Sequence, residues 1–278
     1  VFGESVYADA AATLLSLATA GDIEPALQRV AIQALAGYEG DEISRRLASA
    51  FDNRISAEHG LRDAGCRTLA SRVSWALVLL DQVNSWRVRQ SDVPPDVVQR
   101  LRTYEDPQLV AAVERAFGPV PPVNSSEKVE LIQQLAKFLR SNRGDYESGK
   151  QLYVKHCGTC HQLSGIGEAI GPALDNYDRG NLKFWLPAIV APSLEIREGY
   201  QTYLALTADG RVVTGMVSAQ DLSSVTIRTA DGKQVRLERD ELEKFRAVAT
   251  SLMPEGLLNK LTQEQVGDLF AFLRAGTR

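Results

Sequence analysis

The sequence has few of the residues that define several protein classes. Its 278 residues include only three cysteines, three histidines and two methionines, and aromatic residues make up 7%. Three cysteines are too few for a disulfide-stabilised scaffold. No apolar run approaches the roughly 18 residues that a membrane span requires. The formal net charge of −4 is shared evenly between residues 1–143 and 144–278, so neither half is basic enough to indicate nucleic-acid binding.

The remaining composition is that of an ordinary globular protein. Hydrophobic residues make up 44% and charged residues 24% of the chain, and its length favours one large or two modest domains. The sequence begins Val1-Phe2-Gly3-Glu4, without an initiator methionine or the basic-then-apolar pattern of a secretion signal. We therefore expect a trimmed start from which the compartment signal has been removed.

Residues 1–122 predict a domain of short amphipathic helices. Apolar residues recur at helical spacing in two stretches, at Ala26, Leu27, Val30, Ala31, Ala34 and Leu35 and then at Leu69, Val73, Leu77 and Leu80. Asp106 followed by Pro107 is typical of an N-cap and a first helical turn. Short helices in pairs favour a solenoid of HEAT-like repeats, with an irregular helical bundle as the alternative.

A proline-rich segment, residues 118–124, predicts a linker after these helices. Residues 123–143 then predict the end of that linker and a helix from Ser126 to about Ser141. Residues 144–278 predict a second domain that opens with a helix capped by Asp145 and closes with a helix. The closing helix starts at a capping-box pattern, Thr262-Gln263-Glu264-Gln265.

The period of the sequence changes inside this second domain, over about residues 200–247. Asp209-Gly210 and Asp231-Gly232 are strong hairpin signals between β-branched, alternating runs. We expect four or five antiparallel strands inserted into a mainly α domain. A small barrel of the SH3 or Sm type fits the length of this insert.

The pentapeptide Cys157-Gly158-Thr159-Cys160-His161 carries the chemical argument. Cys-x-x-Cys-His is the attachment pattern of a c-type haem, in which the thiols add across two vinyl groups and the histidine becomes the proximal iron ligand. A redox dithiol uses the same cysteine spacing, and a zinc site would need further ligands such as His156. Both alternatives stay open, but neither requires a histidine directly after the second cysteine.

Two further residues complete the expected site. The carbonyl of Pro172, in a Gly-Pro turn after the motif, is expected to accept the second ring N–H of His161. Met253 lies in the loop before the last helix and is the expected sixth ligand, because the other methionine, Met216, falls within a predicted strand. His59 and His156 are poorer candidates.

Residues 144–278 resemble class I c-type cytochromes, on the evidence of Cys157–His161, Gly171-Pro172-Ala173-Leu174, Met253 and the two terminal helices. The stretches 189–196, 210–215, 251–257 and 268–273 are similar to the planctomycete and verrucomicrobial putative haem-binding domain family. The resemblance implies one covalent haem c with His161 and Met253 as ligands, and terminal helices that cross with Gly149 against Phe270 or Phe272. In that family the domain often follows helical repeats and a dehydrogenase.

The expected function is one-electron transfer, because an iron with both axial positions filled has no site for substrate. A haem enzyme or a gas or redox sensor with an open or displaceable sixth position is the alternative. The expected partner is a dehydrogenase or another cytochrome, and the insert or the helical domain is a possible dimer contact. Haem attachment of this kind is completed outside the cytoplasm, so we expect a periplasmic or otherwise exported protein.

Overall fold

The computed structural model describes residues 2–52, 54–119, 122 and 124–275, and it divides into two compact units. One unit comprises residues 1–120, 205–213 and 241–244, and the other comprises residues 121–204, 214–240 and 245–278. The predicted linker at 118–124 includes Val120, Pro121 and Val123, which lie outside the described residues. Among the described residues, no helix combines the length and apolar character needed to cross a membrane.

The first unit is built from α-helices that contact near neighbours in the chain. Its described helices are α1 (Phe2–Ala18), α2 (Pro25–Ala34), α3 (Asp41–Ser49), α4 (Leu61–Leu69), α5 (Val73–Asn84), α6 (Pro95–Leu101) and α7 (Pro107–Phe117). Helix α2 packs on α1 and α4, and α5 packs on α3 and α7. Asp106 caps α7 as predicted, because its carboxylate accepts a hydrogen bond of 2.9 Å from the backbone N–H of Leu109. The assignment to HEAT-like repeats stays a prediction.

The apolar spacing in this unit was misleading at two places. Leu69 ends α4 and Val73 begins α5, so the predicted stripe belongs to two helices. In the turn between them, the Ser71 carbonyl accepts a hydrogen bond of 2.8 Å from the Val212 N–H. In α2, the apolar residues Leu27 and Val30 are exposed, whereas the polar Gln28 is buried. The amide nitrogen of Gln28 lies within 3.1 Å of three backbone carbonyl oxygens.

The described α-helices of the second unit are α8 (Ser126–Ser141), α9 (Tyr146–His156), α10 (Leu182–Val190) and α11 (Gln263–Arg274). Two of them start where the sequence predicted a capping residue. Asp145 caps α9, and Thr262 and Gln265 form the predicted capping box of α11. Helix α10 was not predicted, because it contains Pro187 and is apolar on most sides.

Helices α9 and α11 cross at Gly149, as the resemblance implied. A Cβ atom added to Gly149 would lie 1.9 Å from the Asp268 carbonyl oxygen and 3.1 Å from the Phe272 Cβ. The ring of Tyr153 lies on Phe272 at a centroid distance of 5.0 Å. The aromatic partner at the crossing is therefore Phe272, while Phe270 is buried in the core of the unit.

The inserted strands form one antiparallel sheet of five strands. They are β1 (Thr202–Thr207), β2 (Val212–Gln220), β3 (Ser224–Arg228), β4 (Gln234–Glu238) and β5 (Leu242–Ala247), in the order β4-β3-β2-β1-β5. Asp209-Gly210 and Asp231-Gly232 join β1 to β2 and β3 to β4, and both glycines have a φ of +79°. The predicted antiparallel strands are thus confirmed as a five-stranded sheet, whereas their insertion into the second domain and their likeness to an SH3 or Sm barrel stay predictions.

Candidate haem-attachment site

The Cys-x-x-Cys-His segment forms a tight turn at the C-terminal end of α9. The N–H groups of Cys157 and Gly158 both donate to the carbonyl of Tyr153, at 2.8 and 2.7 Å. The N–H groups of Cys160 and His161 both donate to the carbonyl of Cys157, at 3.0 and 2.9 Å. These bonds satisfy the carbonyls that a helix leaves free at its end, and they bring the two thiols and the imidazole onto consecutive turns.

The imidazole of His161 is oriented by the carbonyl of Pro172. The His161 Nδ1 atom lies 2.9 Å from the Pro172 carbonyl oxygen. A carbonyl only accepts hydrogen bonds, so Nδ1 carries the proton and the lone pair is on Nε2. Burial lowers the pKa of His161 and thereby favours the neutral ring. A neutral imidazole with a free Nε2 lone pair has the form that binds a metal.

Gly171 allows the Pro172 loop to approach the ring. A Cβ atom at position 171 would lie 2.6 Å from Cε1 and 2.9 Å from Nδ1 of His161. The N–H groups of Ile170 and Gly171 hold the loop in place by donating to the carbonyl of Cys160, at 3.0 and 2.7 Å. The sequence predicted the turn and the role of the Pro172 carbonyl, but it gave no reason for the glycine at position 171. The steric need for glycine follows from the contact with the imidazole.

The hydroxyl of Tyr153 is a further member of the site that sequence reasoning missed. It donates a hydrogen bond of 2.6 Å to the carbonyl of His161, and the tyrosine side chain is fully buried. Burial raises the pKa of Tyr153, so its hydroxyl keeps the proton that it donates. The available signal was a tyrosine one helical turn before Cys157, because a tyrosine that becomes buried there needs a partner for its hydroxyl.

The two motif cysteines are not joined in a disulfide, and both are partly buried. Burial raises the pKa of the Cys157 thiol to about 12, so this thiol is protonated at neutral pH. Redox dithiols instead lower the pKa of their attacking cysteine, and that environment differs from this one. The described residues contain no group of three or more His, Cys, Asp or Glu side chains that could hold a metal ion.

The loop that carries Met253 is held on both sides of this residue. On one side, the Ser251 N–H donates to the Ser193 hydroxyl and the Met253 N–H donates to the Ser251 hydroxyl, each at 3.1 Å. On the other side, Lys128 and Glu255 form an ion pair of 2.8 Å whose side chains are only 10% and 17% exposed. Met253 itself is partly buried in this irregular loop.

The remaining candidate ligands lie in other surroundings. Met216 is buried in β2, as expected for a residue that packs in the sheet. His59 has an exposed side chain and belongs to the helical unit, and His156 is the last residue of α9. The structure therefore joins His161 directly to Pro172, and it holds Met253 on a loop whose backbone is hydrogen-bonded to the Ser193 and Ser251 hydroxyls.

The attachment segment also lies within a stretch of the chain that is similar to a known family. Residues 146–226 match the family model described as Cytochrome c. The matched part contains α9, the Cys-x-x-Cys-His segment and Pro172, and it ends in β3 before Met253 is reached. No curated protein matches the sequence. The match supports a c-type cytochrome domain in this chain, with the covalent haem and the electron-transfer role that this family implies.

Proposed function

We propose that residues 144–278 carry one covalently attached haem c and transfer single electrons, with His161 and Met253 as the axial ligands. The observation that supports this most is the His161 ring, whose Nδ1–H is held by the Pro172 carbonyl at 2.9 Å. A bound haem supplies a one-electron Fe(III)/Fe(II) couple, and the protein tunes its potential. The thiols of Cys157 and Cys160 fit the attachment pattern, because they are three positions apart and His161 follows the second directly.

The chain's own groups would hold and tune that haem. The hydrogen bond from Nδ1–H to Pro172 fixes the plane of the imidazole and raises the basicity of Nε2. Tyr153 holds the backbone at His161 through the hydrogen bond from its hydroxyl to the His161 carbonyl. The low exposure of the Lys128–Glu255 pair supports a restrained loop at Met253, as a placed thioether ligand requires. A thioether ligand favours Fe(II) and raises the reduction potential.

The wider setting is part of the same proposal. We infer an exported protein, since this kind of haem attachment is completed outside the cytoplasm. The helices of residues 1–122, as HEAT-like repeats, would dock a dehydrogenase or another cytochrome, and the SH3- or Sm-like insert or the helical domain would offer a dimer contact. A protein without residues 1–122 that keeps the haem spectrum of the full chain should then be reduced more slowly by its partner. Unchanged partner kinetics would contradict the docking role.

The optical spectrum of the matured protein tests the ligands. We expect sharp low-spin bands after reduction, and a weak long-wavelength ferric band that reports sulfur ligation. Met253→Ala should abolish that sulfur band. Met216→Ala is the matched control, because it removes the other thioether from the core of the sheet and should leave the band in place.

The other outcomes separate the alternatives. High-spin bands, or carbon monoxide binding by the native reduced protein, would favour an enzyme or sensor with an open sixth position. A sulfur band that survives in Met253→Ala and is lost in Met216→Ala would refute the assigned ligand. If the protein carried no haem when made in a host that attaches haem, a redox dithiol or a metal site at Cys157 and Cys160 would be favoured.

A further inference from the structure

The turn between β3 and β4 lies on the haem-attachment segment. The Cys160 Sγ atom is 3.9 Å from the carbonyl oxygen of Ala230, which is the distance of a weak sulfur hydrogen bond. A Cβ atom added to Gly232 would lie 3.2 Å from the Cδ1 atom of Ile170. Ile170 is in turn bound through its N–H to the Cys160 carbonyl at 3.0 Å. The hairpin of residues 229–233 therefore covers the Cys160 side of the segment.

Arg228, the last residue of β3, holds the loop that leads to Pro172. Its Nη1 atom donates a hydrogen bond of 3.1 Å to the carbonyl of Ala169. Within the part of the chain that the structure describes, Arg228 forms no ion pair, and a neutral carbonyl does not balance its positive charge. The nearby charges of Asp231 and Lys233 form an ion pair of 3.6 Å and offset each other. Arg228, next to the hairpin, thus places a positive charge at Ala169, three positions before Pro172 in the chain.

We propose that the inserted sheet is a working part of the haem site. Its β3–β4 hairpin shields the Cys160 edge from water, and Arg228 is a positioning residue that raises the reduction potential by its charge. Both effects favour the reduced haem. A nearby positive charge attracts the added electron, and this attraction is screened less where water is excluded. This proposal rests on the proposed function for its redox consequence. The contact itself is independent of that function.

The contact is tested by hydrogen exchange on the isolated full-length chain. In Gly232→Val, the added side chain is strained at a φ of +79° and meets Ile170, so the hairpin should lift. The amides of Ile170 and Gly171 should then exchange about tenfold faster or more. Gly210→Val is the matched control, because it brings the same strain to the other Asp-Gly hairpin, and its nearest neighbour is Arg72 at 4.0 Å.

The charge is tested by the reduction potential of the haem-loaded protein. In Arg228→Gln, the ratio of reduced to oxidised protein at a fixed applied potential should fall about three- to tenfold, where tenfold corresponds to 59 mV. Arg228→Lys should restore most of the ratio, since it keeps the charge. Arg236→Gln is the control, because Arg236 lies on the neighbouring strand and pairs with Glu238 at the surface.

Hydrogen exchange and the reduction potential test different parts of the proposal, and each can contradict its own part alone. Equal exchange at Ile170 in the two glycine variants would overturn the covering hairpin. Faster exchange in Gly232→Val with no change of potential in Arg228→Gln would overturn the redox role of the insert. A chain that carries no haem refutes the proposed function and with it the redox role, while the exchange experiment still decides whether the hairpin covers Cys160.

Discussion

The His161 side and the Met253 side of the candidate site are built in different ways. His161 is held by the hydroxyl of Tyr153 and the carbonyl of Pro172, which lie within 11 positions of it in the chain. The Met253 loop is held through Ser193 and Lys128, which are far from it in sequence. Because the contacts on the His161 side are local, a sequence motif was enough to predict that side. The second side depends on how distant elements pack, so the proposed role of Met253 is harder to establish from the sequence.

The largest expected effect comes from filling the space beside the imidazole. In Gly171→Val the side chain would overlap the His161 ring, because even a Cβ lies 2.6 Å from Cε1. We expect a loss of about 3 kcal/mol in the free energy of unfolding, together with loss of low-spin bands. Chemical denaturation and the optical spectrum measure both. Gly180→Ala is the control, since its added methyl group meets only Asp178 at 3.4 Å. Intact low-spin bands in Gly171→Val would show that the Pro172 loop does not set the His161 geometry.

A smaller and more selective effect is expected on the Met253 side. Lys128→Met leaves the carboxylate of Glu255 without its partner in a mostly buried place. We expect the unfolding free energy to fall by about 2 kcal/mol, and the sulfur band to fade at a lower temperature than the other haem bands. Removing the exposed Arg236–Glu238 pair should cost less than about 1 kcal/mol. If all bands of Lys128→Met were lost together, the loop would not be an independently restrained part of the site.

The smallest effect is expected from the hydroxyl of Tyr153. Tyr153→Phe removes the hydrogen bond to the His161 carbonyl but keeps the ring on Phe272, so it should cost about 1.5 kcal/mol. Tyr146 is the matched control, because its ring also lies on Phe272, at 5.3 Å, while 44% of the residue is exposed. Tyr146→Phe should change the unfolding free energy by less than about 0.5 kcal/mol. Equal losses in the two variants would remove the special role of the Tyr153 hydroxyl.

Local signals in the sequence were reliable where a few neighbouring residues decide the backbone. Asp106, Asp145 and Thr262 start helices because their side chains accept hydrogen bonds from the first turn. The Asp-Gly pairs form hairpins because glycine adopts a positive φ at low cost. The spacing of Leu69 and Val73 wrongly predicted one continuous helix, because the apolar periodicity continues across the break between α4 and α5. At this break the Ser71 carbonyl accepts a tertiary hydrogen bond. Helix α10 was missed because Pro187 is a poor helix signal.

The sequence by itself determined the attachment motif, the helix starts and the hairpin turns, since these depend on residues a few positions apart. It also pointed to Pro172, which follows His161 closely enough for a short loop to return to the ring. Only the tertiary structure decided that the Tyr153 hydroxyl binds the His161 carbonyl and that the Ala230 carbonyl lies at Cys160. The latter contact joins positions 70 residues apart. It depends on the packing of a whole sheet, which no local pattern of residues specifies.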